Sequence, residues 1–397
     1  MTILEEYLKK INENRWGSIE LEQELKRLIK IYNEKRNTNL IIYASSFNPN
    51  LPSALEQKDF YYLKDLLDGI PKGENLDVYI ETPGGSGTTA EEIVRYIHSE
   101  FNKISFVICG EAKSAGTIMA MSADEILMTK TGSLGPIDAQ MISNRGVISA
   151  YDYIEWVNSK RKDAEKDGRL NPADAMIIAQ ITPGELNGVV HQLKYAEDLV
   201  KEWLYKYKFK NWNKTETRGL VVTPTMKKRK ASSIARKLSN HRIWRTHGRS
   251  LKIEDLESIG LKVTDLDDDR QLSDLVYKIN LICRLLFSMS NTYKFFCTQS
   301  QSLSLNAQSN NAVPSPQQNN VSIPAVIDIN HICPKCGKQV TFFAKLINDP
   351  NLDKEMLKMG KIPMPKGNIY KCECGFDFNL QGVIDNIERQ VGRKIVK

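Results

Sequence analysis

The sequence predicts an α/β protein with a largely parallel sheet, followed by a small separate module that contains two pairs of cysteines. Short apolar runs alternate with helical patterns between residues 39 and 128, which is typical of parallel strands connected by helices. Residues 298–320 contain no charged side chain and few large apolar ones, which indicates a boundary between folded parts. Four of the seven cysteines lie in close pairs beyond that boundary.

The first domain shows strand and helix patterns in a regular order. Apolar residues at helical spacing predict an amphipathic helix over residues 19–37. Short apolar runs predict strands at 39–45, 76–81, 104–109 and 125–128. Helices are expected at 60–69, after the second strand, at 115–123 and over most of 149–290, with a short α/β return near 251–263. Thr89 and Glu92 fit the capping-box pattern for the helix after the second strand.

These patterns divide the chain into three parts. We expect an α/β domain over residues 1–297, of which 1–37 form an N-terminal helical part. Residues 298–323 are expected to be a flexible linker, because such a polar segment buries too little surface to offset its chain entropy. Residues 324–397 form the cysteine-containing module.

The composition is that of an ordinary globular protein. Of 397 residues, 41% are hydrophobic and 26% are charged, which excludes a disordered or fibrous chain. The net charge of +7 is too small to indicate a nucleic-acid-binding protein by itself. The best apolar stretch, 275–296, is interrupted by Lys278, Arg284 and Lys294, and the first residues are too charged for a signal peptide. We therefore expect a cytoplasmic protein without a membrane span.

Two glycine-containing turns are the most informative features of the first domain. Thr82-Pro83-Gly84-Gly85 and Lys113-Ser114-Ala115-Gly116 each follow a strand and precede a helix, so both are expected at the edge of the sheet where active sites gather. The first turn is suited to an anion or oxyanion but lacks the spacing of a phosphate-binding loop. Ser114 is either a nucleophile among small neighbours or an ordinary helix N-cap.

The order and spacing of four short motifs resemble a known family. TPGG, SAGT, ADEI and GPID, within about residues 35–265, resemble the Clp protease/crotonase superfold. The resemblance is closest to the serine dehydrogenase proteinase family, whose distant relatives are the Clp proteolytic subunit and signal peptide peptidase A. It implies an α/β Clp/crotonase-like superfold with helical elaborations and the activity of a serine endopeptidase.

The resemblance also implies roles for particular residues. Ser114 is expected to be the nucleophile, the N–H groups of Gly85 and Ala115 to form the oxyanion hole, and Gly84 to shape the turn. The family has the order serine, aspartate, histidine. Asp138 in Gly135-Pro136-Ile137-Asp138 and His247 fit that order, as orienter and general acid/base respectively.

The general base has alternatives. His191 and a lysine such as Lys166 are also candidates, the latter because signal peptide peptidase A uses a serine–lysine dyad. His247 and Asp138 also have purely structural interpretations, as residues of turns or helix caps.

The cysteine pairs predict a structural zinc site. Cys333-Pro-Lys-Cys336 and Cys372-Glu-Cys374 are each followed by glycine, and four thiolates form a closed tetrahedral site. The module is similar to a zinc ribbon, although the second pair is one residue short. A redox pair is disfavoured, because no thioredoxin-like pattern surrounds the first pair. His331 is a candidate substitute ligand, but a solvent-exposed residue is the favoured interpretation.

The sequence leaves two other functions and several partners open. The same superfold predicts, as alternatives, a crotonase-like acyl-CoA enzyme or an inactive scaffold that binds a partner through the zinc ribbon. The family resemblance implies a homo-oligomer that acts on polypeptide substrates. Because the chain lacks a nucleotide-binding loop, any ATP-driven unfolding needs a separate ATPase or regulator. Residues 227–252 contain ten basic and no acidic side chains; nucleic acid is a candidate partner, but a solvated helix face is favoured.

Overall fold

The chain consists of two compact units, residues 1–307 and 308–397. The structure is a computed structural model that describes residues 2–138, 140–143, 146–307, 326–346, 349–365, 367–384, 388 and 395–396. The first unit is an α/β domain with a seven-stranded sheet, which confirms the predicted fold class.

The first unit contains twelve α-helices among its described residues. They are α1 Ile3–Asn14, α2 Ser18–Arg36, α3 Gln57–Leu67, α4 Gly87–Glu100, α5 Ala115–Ala120, α6 Ala150–Asp167, α7 Pro172–Ile178, α8 Pro183–Trp203, α9 Pro224–Ser239, α10 His241–Trp244, α11 Ile253–Ser258 and α12 Arg270–Met289. A π-helical segment, Leu204–Lys208, extends α8. The strands are β1 Asn39–Ser45, β2 Asn75–Glu81, β3 Lys103–Ile108, β4 Glu111–Ala112, β5 Glu125–Met128, β6 Ser133–Leu134, β7 Gln140–Ser143, β8 Gly146–Ser149, β9 Thr264–Asp265, β10 Thr292–Cys297 and β11 Ser302–Asn306.

The main sheet is parallel except at one edge. Its strand order is β11-β10-β1-β2-β3-β5-β9. Strands β1, β2, β3, β5 and β9 are parallel, whereas β10 and β11 are antiparallel to their neighbours. The carboxyl ends of β2 and β3 therefore lie side by side, and the chain leaves them toward the two glycine-containing turns.

Both faces of the sheet are covered by helices. In β1, Ile41 and Tyr43 point into the core on one face, and Leu40, Ile42 and Ala44 point into the core on the other. This double burial explains why the strand is continuously apolar. The first face is covered by α3, α4, α5, α8, α9 and α11. The second face is covered by α1, α2 and α12, so the N-terminal helical part belongs to the same domain.

The first unit extends beyond Cys297, where the sequence predicted the linker to begin. Residues 302–306 form β11, which pairs with β10, and Leu303 and Leu305 pack against the core. An edge strand is held by backbone hydrogen bonds to one neighbour. Because its side chains are only partly buried, few of them need to be apolar. The remainder of the predicted linker, 308–323, lies outside the described residues.

The predicted capping box at Thr89 and Glu92 is wrong. Helix α4 begins one turn earlier, and Ser86 is its N-cap, accepting a hydrogen bond of 3.1 Å from the Thr89 N–H. Serine directly after the Gly84-Gly85 turn therefore starts the helix, which shortens the connection between the turn and α4.

The second unit is a small mixed structure with its own core. Strands β12 Val326–Ile332 and β13 Gln339–Lys345 form an antiparallel pair, and β14 Ile362–Pro363 lies parallel to β13. Helix α13 spans Pro350–Lys358, and β15 Ile369–Lys371 pairs with β16 Asp377–Asn379. The core contains Phe342, Leu346, Met364, Leu380 and Ile384.

The apolar stretch 275–296 does not form one element. It is divided between α12 and β10. In the part of the chain that the structure describes, no helix combines the length and apolar character needed to cross a bilayer.

Lys294, which interrupts that stretch, forms a fully buried ion pair with Asp59. The Lys294 Nζ atom lies 2.7 Å from Asp59 Oδ2 and 2.6 Å from the Ala54 carbonyl oxygen, and both side chains are 0% exposed. Asp59 Oδ2 also accepts the Glu56 N–H at 2.9 Å. The pair therefore holds the backbone on either side of Leu55, the residue that contacts the Gly84-Gly85 turn.

Replacing Lys294 should strongly destabilise the first unit. In Lys294→Met the charge of Asp59 stays buried without its partner, and such losses typically cost about 3–5 kcal/mol. The exposed Lys103, whose Nζ lies 3.0 Å from Glu125, provides the control variant Lys103→Met, for which we expect a change of at most about 1 kcal/mol. Urea unfolding followed by tryptophan fluorescence measures both, because all five tryptophans lie before residue 245. Equal unfolding midpoints for the two variants would contradict the assigned role of the ion pair.

Candidate active site and metal site

The first glycine-containing turn is held by the backbone of Leu55. The Leu55 N–H donates to the Gly84 carbonyl at 2.7 Å, and the Ser86 N–H donates to the Leu55 carbonyl at 2.9 Å. Gly84 and Gly85 have φ angles of +103° and +145°, and a Cβ atom on Gly85 would collide with the Leu55 backbone. The positive φ and the close approach together explain why this turn requires glycine.

Ser114 occupies a strained turn before α5. Its φ and ψ are 48° and −113°, a combination that costs a residue with a side chain about 1–3 kcal/mol. Its side chain makes no capping hydrogen bond to α5. The structure therefore gives no support to the helix N-cap interpretation. The strain must be held by the surrounding structure, as is common at functional sites.

The two turns are in direct contact. A Cβ atom built on Gly84 would lie 2.6 Å from Ser114 Cβ and 3.3 Å from the Ala115 nitrogen. In the described part of the chain, neither the Gly85 N–H nor the Ala115 N–H donates to another group. Gly85 and Ala115, whose N–H groups have no partner in the described structure, thus line the same cavity as Ser114.

Asp138 is fully buried and accepts two histidine hydrogen bonds. The Nδ1 atom of His247 lies 2.8 Å from Asp138 Oδ1, and the Nδ1 atom of His241 lies 2.9 Å from Oδ2. The backbone before Asp138 is fixed, since the Ile137 N–H donates to Leu238 and the Gly135 N–H donates to Thr117 Oγ1. Burial alone would raise the pKa of Asp138, but the hydrogen bonds and charge of the two histidines hold it below its usual range.

His247 is half-buried in the connection between α10 and α11. Leu251, four residues later, exchanges two backbone hydrogen bonds with Leu134, at 2.8 and 3.1 Å. The Lys113 Nζ atom donates to Ser250 Oγ at 2.8 Å, and burial lowers the pKa of this lysine. The residue before Ser114 therefore anchors the segment that carries His247.

Ser114, Asp138 and His247 line one cavity of about 460 Å³. Gly85 and Ala115 also line it, so five of the six predicted active-site residues share the cavity, and Gly84 packs closely against Ser114. No hydrogen bond joins Ser114 to His247 in the described structure, and in substrate-free enzymes this contact is often formed only when substrate binds. The other walls contain Ile118, Ile137, Gln192, Tyr195 and Ala196.

The alternative bases lie elsewhere. His191 is exposed on α8 and Lys166 is exposed near the end of α6, and neither lines this cavity. His241 is the residue that the sequence analysis did not assign. The sequence does show that His241 lies only six residues before His247. In the structure, this closeness brings both imidazoles to the Asp138 carboxylate.

The four predicted metal ligands converge in the second unit. The sulfur atoms of Cys333, Cys336, Cys372 and Cys374 all lie within 4.8 Å of one another. Two of the separations are 3.6 Å, between Cys333 and Cys374, and 3.7 Å, between Cys336 and Cys372. A tetrahedron with metal–sulfur bonds of about 2.3 Å has edges of about 3.8 Å, so the donors fit one metal ion.

Each cysteine pair is followed by a turn that depends on glycine. The Gly337 N–H donates to the Cys333 carbonyl and the Gly375 N–H donates to the Cys372 carbonyl, both at 2.8 Å. The φ angles of these glycines are +73° and +83°. In each pair the glycine N–H thus closes a turn onto the first cysteine, and the turn of the C-x-C pair is one residue shorter. His331 is not part of the cluster, and its ring packs edge-on against Phe378.

The sheet, the two turns and the order of the motifs are similar to those of ClpP-like serine peptidases. Residues 63–222 match the family described as ClpP-like SDH-type serine proteinase. The match confirms the resemblance to the serine dehydrogenase proteinase family and supports a serine peptidase as the general class. It includes Gly84, Gly85, Ser114 and Asp138, but it ends before His247.

Two curated proteins that are similar to this chain are described as uncharacterized. Protein MJ0137 of Methanocaldococcus jannaschii is 31% identical over 135 residues, which cover 33% of this chain and 45% of that protein. Protein MJ1495 of the same organism is 27% identical over 193 residues, which cover 49% and 53% respectively. The chain therefore spans about half the length of the curated relatives it matches.

Similar solved structures include two mutants of the 1510-N membrane-bound stomatin-specific protease. The first, in complex with a substrate peptide, is 16% identical, covers 63% of this chain and 80% of that chain, and has a TM-score of 0.30. The second is 20% identical, covers 36% and 72%, and has a TM-score of 0.22.

Removing the charge of Asp138 should make the free energy of unfolding depend less on pH in the acid range. Because the folded-state pKa is lowered, ionised Asp138 stabilises the fold above the unfolded-state pKa of about 3.9, and this contribution is lost as the pH falls toward the folded-state value. We expect Asp138→Asn to cost about 2 kcal/mol at pH 7, with a deficit that shrinks below about pH 4.

Urea unfolding of wild type and variant between pH 3 and pH 7 measures this deficit. The exposed Asp65 provides the control, and Asp65→Asn should change stability by no more than about 0.5 kcal/mol throughout. A deficit for Asp138→Asn that stays constant or grows on acidification would contradict the assigned charge interaction.

Proposed function

We propose that the chain is a serine endopeptidase that hydrolyses peptide bonds through an acyl-enzyme on Ser114. The observation that carries the proposal is the meeting of the strained Ser114 turn, two free backbone donors and a hydrogen-bonded histidine–aspartate pair in one cavity. These are the nucleophile, oxyanion donors, base and orienter of acyl transfer.

The first half of the reaction forms the acyl-enzyme. His247 donates its Nδ1–H to Asp138, which leaves the Nε2 lone pair free to accept the hydroxyl proton of Ser114. The serine Oγ atom then attacks the peptide carbonyl carbon. The N–H groups of Gly85 and Ala115 donate to the oxyanion that forms. When the tetrahedral intermediate collapses, the C–N bond breaks and His247 gives its proton to the leaving amine.

The second half releases the product. Water enters the cavity and loses a proton to His247 as its oxygen attacks the ester carbonyl of Ser114. The same two N–H groups donate hydrogen bonds to the second oxyanion. Collapse of this intermediate breaks the bond to Ser114 Oγ, which recovers its proton from His247, and a peptide with a free carboxylate leaves.

The crotonase-like alternative is less well supported. It would need a carboxylate that is free to remove a proton from an acyl-CoA substrate. Asp138 is the acidic residue that lines the cavity, and both of its oxygens already accept hydrogen bonds from histidines. An inactive scaffold is the third candidate, and a wild-type chain that a fluorophosphonate probe does not label at Ser114 would favour it.

For the second unit we propose a structural zinc ion held by Cys333, Cys336, Cys372 and Cys374. All four donors are thiolates, which favour zinc, and a fourth protein ligand leaves no open position for catalysis. The unit is small, so metal binding would supply a large part of its folding free energy.

The proposed partners follow from the family resemblance. They are a polypeptide substrate, further copies of the chain in a homo-oligomer, and a separate ATPase or regulator. The basic segment 227–252 buries Ala231, Ile234, Ala235 and Leu238 in the core. Lys228, Arg229 and Arg236 of α9 are exposed, as in a solvated helix face, and nucleic acid stays unfavoured as a partner.

Covalent labelling tests the proposed nucleophile and base. A fluorophosphonate probe should label the wild type at Ser114, and Ser114→Ala should abolish labelling. His247→Ala should slow it at least about a hundredfold, because the general base is lost. His191→Ala, which alters an exposed histidine outside the cavity, should label like wild type. Labelling that survives in Ser114→Ala, or is unchanged in His247→Ala, would contradict the assignment.

Metal analysis tests the proposed zinc site. Purified protein should contain about one zinc ion per chain, and Cys336→Ser should lose most of it. Cys283→Ala, which alters a buried cysteine outside the cluster, should retain the metal. Chelation should speed proteolysis within residues 326–396 without changing the labelling of Ser114, since the role is structural. Zinc that persists in Cys336→Ser, or metal-free protein with a protease-resistant second unit, would contradict the proposal.

A further inference from the structure

His241 makes a contact that the proposed reaction does not explain. Its Nδ1 atom lies 2.9 Å from Asp138 Oδ2, while His247 takes the other oxygen of the same carboxylate. Asp138 is 0% exposed, so water does not reach Oδ2 from the surface. His241 is the side chain that satisfies this oxygen in the described structure.

The two histidines are not equivalent in position. His247 lines the cavity with Ser114, whereas His241 does not. The Nε2 atom of His241 instead faces Asp152 Oδ2 at 3.4 Å, and its ring stacks loosely on Tyr151, with centroids 6.4 Å apart. His241 thus contacts Asp138 and Asp152 without lining the cavity that contains Ser114.

The short helix α10 holds His241 in place. Asn240 caps the helix by accepting the Arg242 N–H at 3.0 Å. Trp244 at the end of the helix is buried and donates its indole N–H to the Lys237 carbonyl at 2.7 Å. Because α10 is fixed at both ends, His241 is a rigid partner for Asp138.

A second hydrogen-bond donor restricts the orientation of a buried carboxylate. With one hydrogen bond, the carboxylate can rotate about its Cβ–Cγ bond, and the imidazole that it holds can tilt. Hydrogen bonds to both oxygens fix the carboxylate plane and hence the direction of its lone pairs. Without the second donor, Oδ2 would be a buried acceptor with no partner, which is costly for a charged group.

We propose that His241 is a positioning residue for the peptidase reaction, one that fixes the Asp138 carboxylate so that His247 presents Nε2 to Ser114. The inference rests on the proposed function and extends it to a fourth side chain. Reaction geometry is sensitive to small displacements, so loss of this hydrogen bond should slow acylation about tenfold or more. Binding of the acyl group should be unaffected, because His241 does not line the cavity.

Two substitutions separate the hydrogen bond from the ring. His241→Phe keeps an aromatic ring against Tyr151 but has no donor for Asp138. His241→Asn loses the ring but carries an amide N–H₂ group near the position of Nδ1. The exposed His191→Ala serves as the control. For each protein we would measure the rate constant of inactivation by a peptidyl fluorophosphonate and, separately, the concentration that gives half of the maximal rate.

The proposal predicts a specific pattern. His241→Phe should lower the inactivation rate constant about tenfold or more at an unchanged half-saturating concentration, and His241→Asn should recover most of the loss. Thermal unfolding shows whether each variant is folded, and active-site titration corrects for the folded fraction. A merely structural role would reduce that fraction and leave the rate constant of the folded protein unchanged.

Three results would overturn the proposal. One is an inactivation rate constant in His241→Phe equal to that in His191→Ala. Another is rapid labelling in His247→Ala together with none in His241→Phe, which would make His241 the base. The third is a wild type that is not labelled at Ser114, which would overturn the proposed function itself and the inference with it. The first two outcomes leave the peptidase function intact, so the two failures are distinguishable.

Discussion

A row of short backbone pairings determines the geometry of the candidate site. At the edge of the sheet, beyond the ends of β2 and β3, five short segments pair with one another through a few hydrogen bonds each. Each segment carries or supports a different part of the site. The segments are Leu55, which contacts the glycine turn, the turn at residues 82–85 itself, strand β4 before Ser114, strand β6 before Asp138, and Leu251 after His247. The pairings are Leu55–Gly85, Thr82–Ala112, Ala112–Leu134 and Leu134–Leu251.

This row explains how a strained serine and a distant histidine can be held together. The residues that it joins are up to about 200 positions apart in the sequence, yet each bond uses backbone atoms whose positions are fixed by neighbouring strands. The buried Lys294–Asp59 pair holds one end of the row, and the Lys113–Ser250 contact holds the other. Several independent contacts thus maintain the unfavourable backbone angles of Ser114, as a strained site requires.

The sequence predicts the parts of the site that depend on local structure. The turns at Gly84-Gly85 and Ser114 are visible because glycine and small residues follow apolar strands, and the cysteine pairs are visible through their spacing. The pairing of His247 with Asp138 was expected from the family resemblance. In the structure, His247 Nδ1 lies 2.8 Å from Asp138 Oδ1. Their chemical roles remain proposals.

Other features depend on contacts that a sequence does not reveal. Lys294 interrupts an apolar run and resembles a surface residue, because its partner Asp59 lies 235 residues earlier. The polar strand β11 resembles a linker, since its hydrogen bonds to β10 rather than its side chains hold it in place. His241 was overlooked because only the folded structure shows that Asp138 has a second buried oxygen to satisfy.

In the proposed mechanism, Ser114, two backbone N–H groups and His247 act on one carbonyl carbon. A crystal structure of the chain with a peptide boronic acid tests it most directly, because boron forms a tetrahedral adduct that imitates the intermediate. We expect a bond from boron to Ser114 Oγ, one boron-bound oxygen within hydrogen-bond distance of the Gly85 and Ala115 nitrogens, and His247 Nε2 beside the adduct. A boron atom bound to another residue, or an oxygen directed away from both nitrogens, would contradict it.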